Sequence, residues 1–349
     1  MRGAELFTCQ LSQHLSQLGH QVLLVKVFKG VAVLPFNGSI VSLGGNKKRR
    51  WVDVIAWYRL SILIKTFQPD LIQTNAGDTL KYAVISKWLF GWKTPIIVRN
   101  ASMVGRYLTT AIHLKINAFF YKKAIYVIAV SKASEKDLLQ HFPFLKAYTT
   151  VIPVGIEEVN CVKMELDPPK RKHILHVGGF TYEKNHIGLL RIFKRVLEVH
   201  KEAHLHLLGD GPLLKNTKQC AKEWGIDKHC TFYGAVSNPI SYMKAADVVV
   251  LPSIIEGIPA VLLEAMYAKT PVVTYEVGGI AEVLVNQQTG YLIPSGDENA
   301  FAETIGNLLT NPDSNLPENA YQQVCQQFAN TKIAQRFEAI YKQLLNEQN

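Results

Sequence analysis

Short apolar runs alternate with amphipathic segments from one end of this chain to the other, and few folds can satisfy that pattern. A parallel sheet is covered by helices on both faces. Its strands are therefore short and apolar throughout, and the helices between them carry one apolar stripe. In the first half the runs predict strands at 21–27, 70–74, 95–99 and 125–130. A helix over 4–18 precedes them: Phe7, Leu11, Leu15 and Leu18 recur at helical spacing, and Gly19 suits its C-terminal end. In the second half, strands are expected at 173–178, 204–209, 230–234, 247–251, 271–275 and 291–294, with helices near 186–200, 213–224, 239–245 and 259–268.

The expected class is α/β, with two Rossmann-like doubly wound domains. A length of 349 residues suits two domains. The expected divisions are 1–167, 168–330 and a terminal segment 331–349, whose helix at about 332–345 would pack back toward the N-terminal domain. The join falls at Asp167-Pro168-Pro169-Lys170, where prolines interrupt regular structure. Ligands of such sheets bind beyond the C-terminal ends of the strands. Chemistry is therefore expected on the loops that follow strands.

Composition removes several classes of function. With 48% hydrophobic and 19% charged residues the chain is not disordered. No apolar run reaches the roughly 18 residues of a membrane-spanning helix, and the first residues lack the apolar stretch of a signal peptide. The five cysteines are scattered and form no CxxC pair, so neither zinc nor a disulfide framework is indicated, and a reducing cytosol is expected. The net charge of +10 belongs to the first half: residues 1–165 hold 21 Lys/Arg against 9 Asp/Glu. Its densest run is Lys47-Lys48-Arg49-Arg50, followed by Trp51. That run is either a solvated loop or a contact for anionic lipid headgroups at the inner face of a membrane. No nucleic-acid-binding motif accompanies it, and nucleic acid is not expected as a partner.

Two motifs carry the chemistry. HILHVGGFTYEKNH (173–186) runs a strand into Gly178-Gly179, a short loop and a helix. Glycines let a ligand approach the backbone, and Lys184 near a helix start suits a diphosphate. In DVVVLPSIIEGIPAVLLEAMYAKTPVV (247–273), Glu256 lies in the loop after a strand, Pro259 suits the first position of a helix, and Glu264 lies on that helix. Ionised carboxylates accept hydrogen bonds from several hydroxyls, so the two glutamates suit a sugar and a ribose. Gly209 in HLHLLGDGP, Gly234 in TFYGAV and the VGGIAEV segment (277–283) add further glycine-bearing strand ends.

In the order VGGFTYEKN, GDGP, YGAV, EGIPAVLLEAM, PVV, VGGIAE and TGYLIP, the chain resembles glycosyltransferase family 4, the retaining group 1 transferases of GT-B fold. RGAE, PDLIQTN, VSKAS and VIPVGIE extend the likeness more loosely through the first half. The resemblance implies two Rossmann-like domains facing each other across a cleft. It also implies a nucleoside diphosphate sugar donor (UDP-, GDP- or similar), no cofactor and no metal, and a glycan or lipid-linked acceptor. Lys184 would neutralise the diphosphate, Glu256 would hold the donor sugar and Glu264 the ribose, with Lys184 and Glu256 as the catalytic residues. Gly178, Gly179, Gly209, Gly234, Gly257, Ile258 and Ala260 would complete the donor side. Gly3, Asn75, Arg99 and Asn100 would serve the acceptor side.

The chain departs from the family pattern at four points. Gly179 stands where relatives often carry an arginine. Pro259 replaces a residue with an N–H. Arg99-Asn100 stands where a histidine is usual. The chain as given begins at RGAE, so the innermost strand of the first sheet is expected to be missing. Two other readings share the sequence: a sugar-nucleotide epimerase of the same fold, and a degenerate, non-catalytic binding subunit.

Overall fold

A computed structural model describes residues 3–28, 30, 34–75, 77–169, 171–312 and 315–347. Lys170 of the expected join, and Met1 and Arg2, lie outside the described residues. The chain divides into two compact units, one of residues 1–157 with 330–349 and the other of residues 158–329. The division at Glu157 and Glu158 precedes the proline-rich join, and the terminal helix belongs to the first unit.

In the first unit the order is α1 (Gly3–Gln17), β1 (Leu23–Phe28), β2 (Ser39–Gly45), α2 (Val54–Phe67), β3 (Ile72–Thr74), α3 (Gly77–Phe90), β4 (Ile96–Asn100), α4 (Ala111–Tyr121), β5 (Tyr126–Ala129), α5 (Lys132–His141) and β6 (Thr149–Val151). All pairings are parallel, but they form two separate sheets, β1–β2 and β3–β4–β5–β6. No described strand joins β1 to β3, so each sheet has an open edge within this unit. The strand at 39–45 and the helices α2 to α5 were not read from the sequence. α2 escapes because it is apolar on both faces and so shows no helical stripe.

The periodicity of α1 is realised: Phe7, Leu11 and Leu15 are buried, while Leu18 is exposed. Gly19, at φ +95°, lets the chain close the helix with His20 N–H donating to Leu15 O. The terminal helix of this unit packs Phe337 against Phe7, with ring centroids 6.1 Å apart.

The second unit holds β7 (Lys172–Val177), α6 (His186–Val199), β8 (Ala203–Leu208), α7 (Leu214–Glu223), β9 (Cys230–Gly234), α8 (Pro239–Met243), β10 (Val248–Leu251), α9 (Ala260–Tyr267), β11 (Val272–Tyr275), β12 (Tyr291–Ile293), α10 (Glu298–Thr310) and α11 (Leu316–Gln327); α12 (Asn330–Asn346) returns to the first. Its six parallel strands lie in the order β12-β11-β10-β7-β8-β9. The continuous apolar runs of β10 and β11 are buried on both faces, as a central parallel strand requires. The apolar stripe of α6, including Leu189, Phe193 and Val196, covers one face of this sheet.

Candidate functional site

The strand order of the second unit reverses between β7 and β10, which lie side by side. At such a switch point the two following loops leave in opposite directions and open a crevice. The loop after β7 carries Gly178, Gly179 and Lys184, and the loop after β10 carries Glu256, Gly257 and Ile258. Topology therefore brings the two sequence motifs to one place.

Three bonds hold these loops together. Lys184 Nζ donates to Glu256 Oε1 at 2.6 Å. Asn185 Nδ2 donates to Pro252 O at 3.0 Å, and Ile254 N–H donates to Glu183 O at 2.9 Å. Asn185 adopts the left-handed conformation at φ 54° and accepts from Gly188 N–H, so it caps α6 while tying the loops. Glu256 is 9% exposed and the Lys184 side chain 22% exposed. The pair is thus shielded but open to a ligand.

The glycines serve close backbone approach. Gly178 N–H donates to Leu208 O, Gly209 N–H to Gly234 O and Phe180 N–H to Asp210 O. A Cβ on Gly209 (φ +137°) would lie 2.0 Å from Gly178 O. A Cβ on Gly278 (φ +59°) would lie 1.9 Å from Glu256 O, while Gly279 N–H donates to Gly257 O at 2.9 Å. The VGGIAEV segment, a weak turn signal in sequence, therefore clamps the backbone that presents Glu256. Gly234, at φ +72°, closes the far end of this series.

Pro259 corrects one expectation. It is the N-cap of α9, in extended conformation, and the helix begins at Ala260. The N–H that proline lacks falls outside the first turn. Ile258 is buried beneath the loop. Glu264 lies on α9, and no hydrogen bond or ion pair reaches its carboxylate among the described residues. Burial alone pushes that carboxyl up to about 7.

Sequence reasoning missed a pair of histidines behind the glycine loop. His176 on β7 donates from Nδ1 to Val250 O at 2.8 Å, and its Nε2 lies 3.1 Å from where a Gly178 Cβ would be. His186 stands edge-on to it, with centroids 4.8 Å apart, and stacks on Phe180 at 3.9 Å. Burial holds His176 down to about 4 and His186 to about 2, so both are neutral supports of the loop. Ser253 Oγ is also buried and has no hydrogen-bond partner among the described residues. The one sequence signal is the place of His176 inside the apolar run of its strand, and nothing comparable marks His186 or Ser253.

The expected acceptor-side residues lie in the first unit. Asn75 follows β3, and Arg99 and Asn100 end the adjacent β4. Asn75 Oδ1 accepts from Gln73 Nε2, and Gln73 Oε1 accepts from Tyr341 Oη. Arg99 is 1% exposed and lies 4.2 Å over the Phe7 ring; among the described residues none of its three guanidinium nitrogens, nor Asn100 Nδ2, has a hydrogen-bond partner. Burial lowers Arg99 to about 10. Gly3 is the first residue of α1.

The sequence profile of "Glycosyl transferases group 1" matches residues 163–325, and that of "Glycosyltransferase Family 4" matches residues 1–159. HepE of Anabaena in complex with UDP superposes with a TM-score of 0.80 at 18% identity, covering 98% of this chain and 96% of HepE. The fold is thus α/β with two Rossmann-like units, the GT-B class. The chain belongs to the group 1 transferases of glycosyltransferase family 4.

Among characterised relatives, the N-acetyl-alpha-D-glucosaminyl L-malate synthase of Bacillus anthracis is 32% identical over 178 residues, 50% of this chain and 46% of that protein. The N-acetylgalactosamine-N,N'-diacetylbacillosaminyl-diphospho-undecaprenol 4-alpha-N-acetylgalactosaminyltransferase of Campylobacter jejuni is 25% identical over 236 residues, 65% of this chain and 64% of that protein. The chain spans roughly half to two-thirds of the length of these curated relatives.

Proposed function

We propose that this chain is a retaining glycosyltransferase that moves a sugar from a nucleoside diphosphate sugar, UDP- or GDP-linked, to a glycan or lipid-linked acceptor in surface polysaccharide or glycolipid synthesis. The observation that carries this reading is the Lys184–Glu256 pair at the switch point of the second unit. A cation suits the diphosphate, and a carboxylate beside it suits the hydroxyls of the sugar attached to that diphosphate. UDP bound to HepE supports a uridine donor, and the diphospho-undecaprenol in the Campylobacter relative's name supports a lipid-linked acceptor.

In the proposed reaction Lys184 and backbone N–H groups of the glycine loop stabilise the charge of the departing diphosphate. The acceptor oxygen forms its bond to the anomeric carbon on the face from which the phosphate oxygen leaves. The acceptor proton passes to that phosphate, and the anomeric configuration is kept. Glu256 holds the sugar and forms no covalent bond, unlike the nucleophilic carboxylate of retaining glycosidases. Glu264 holds the ribose, and Gly3, Asn75, Arg99 and Asn100 belong to the acceptor side. This chemistry needs no metal or other cofactor, because the cation is supplied by Lys184. The basic run Lys47, Lys48, Arg49 and Arg50, with Trp51, holds the protein peripherally on the cytoplasmic face of the cell membrane.

The test is incubation of the full chain with a panel of sugar nucleotides and a membrane extract, reading nucleoside diphosphate release and the anomeric configuration of the product by NMR. A retained configuration with acceptor-dependent release is expected. An inverted product, or absence of binding to every sugar nucleotide, refutes the proposal.

A further inference from the structure

A helix at the surface of a water-soluble unit buries one face and turns a polar face to solvent. α2 does not. Its inner face buries Ala56, Trp57, Leu60, Ser61 and Ile64. Its outer face presents Val54, Ile55, Tyr58 and Ile62, all exposed, with Ile55 at 67%. The helix holds no acidic residue from Val54 to Phe67, and its charges are Arg59 and Lys65 alone.

The apolar surface continues at both ends. Ahead of α2, Trp51 and Val52 are exposed, the latter at 70%. Beyond it, Tyr58 packs on Phe90 with ring centroids 5.6 Å apart, at the end of α3, where Trp88 is 79% exposed and Leu89 is also exposed. An apolar surface built from two helices and a loop marks an interaction site.

Charge says what covers it. Lys47, Lys48 and Arg49 form a short helical turn capped by Asn46, whose Oδ1 accepts from Lys48 N–H. None of the three has a carboxylate partner among the described residues. The nearby acids are engaged elsewhere. Asp78 pairs with Arg50 at 3.4 Å and Lys81 at 3.5 Å, and Asp53 accepts from Asn46 N–H and Tyr82 Oη. Lys81 in turn sits 4.7 Å over the Trp51 ring and holds it in place. Unpaired cations beside an exposed apolar helix face, with a tryptophan between them, match a bilayer with anionic headgroups above hydrocarbon.

We propose that the outer face of α2, flanked by Trp51–Val52 and Trp88–Leu89, inserts into the interface of an anionic lipid bilayer while Lys47, Lys48 and Arg49 contact its headgroups. This rests on the peripheral placement proposed above and deepens it. The basic run supplies attraction, and the apolar face supplies hold that salt cannot screen.

The test uses the full chain with vesicles of phosphatidylcholine alone or mixed with phosphatidylglycerol, read by co-sedimentation and by quenching of tryptophan with brominated lipid. Binding to the mixed vesicles, with quenching, is expected. Ile55→Ser with Tyr58→Ser should weaken it about tenfold or more, with a residue that high salt does not remove in the parent chain. Lys47→Gln, Lys48→Gln and Arg49→Gln together should cost roughly fivefold per charge.

Vesicle binding unchanged by the α2 variant and abolished by salt overturns insertion and leaves the electrostatic placement standing. Equal binding to both vesicle types, or self-association of the free chain through α2, also overturns it. UDP binding by the α2 variant, followed by thermal shift, shows that it is folded. That readout also separates failure of the surface from failure of the transferase reading.

Discussion

The Lys184–Glu256 pair makes a prediction in which two ligands respond differently to one substitution. Lys184 Nζ lies 2.6 Å from Glu256 Oε1, and the two side chains are 22% and 9% exposed. A fully exposed pair would contribute under about 1 kcal/mol, and a hydrogen bond to a charged, shielded group about 1.5–3 kcal/mol. The coupling in this geometry is therefore about 2 kcal/mol, measurable as the interaction energy of a double-mutant cycle of Lys184→Met and Glu256→Gln in urea unfolding. Donor binding by calorimetry then divides the roles. Lys184→Met should weaken UDP and the UDP-sugar alike, by about thirtyfold if the lost contact is worth about 2 kcal/mol. Glu256→Gln should spare UDP, or tighten it by freeing Lys184, and weaken only the sugar-bearing donor. A Glu256→Gln variant that loses UDP and UDP-sugar equally, or a cycle with no coupling, would refute the reasoning.

Three further outcomes follow from the same geometry. Gly278→Ala should lower donor turnover by at least tenfold while the protein stays folded by circular dichroism, because a Cβ 1.9 Å from Glu256 O at φ +59° must displace that backbone; unchanged turnover contradicts the clamp. Glu264 titrates near 7, raised by burial from an unfolded value near 4.5, so the folded state loses stability as pH rises through that window. Glu264→Gln should therefore stabilise the free protein by up to about 3 kcal/mol at pH 8 and by little at pH 4, with the donor KM raised; a pH-independent gain speaks against it. His176, His204 and His206 are held down by burial to about 4, 4 and 3, so the unfolded chain binds more protons below about 6.5. Stability should be full above that pH and fall below it by up to about 1.4 kcal/mol per pH unit for each histidine; a His206→Gln variant with an undiminished slope would exclude that histidine.

The sequence by itself determined the class of fold and which residues stand on the loops after its strands. Runs such as Val248–Leu251 and Val272–Tyr275 are apolar because a parallel strand is buried on both faces, and that requirement is visible residue by residue. Lys184, Glu256 and the glycines are legible for a similar reason: each lies within a few residues of a strand end. α2 was not legible, because an exposed apolar face removes the stripe by which a helix is read.

Only the tertiary structure decided what those residues touch. Lys184 and Glu256 meet because β7 and β10, distant in sequence, are neighbours in the sheet. The same neighbourhood sets His176 against Val250 O, and the pairing of β10 with β11 sets Gly278 against Glu256 O. In the first unit, the packing of β4 leaves the Arg99 guanidinium without a hydrogen-bond partner among the described residues. Spacing along a chain carries no record of such contacts, since pairing between strands depends on the order in which the sheet is assembled and not on separation in sequence.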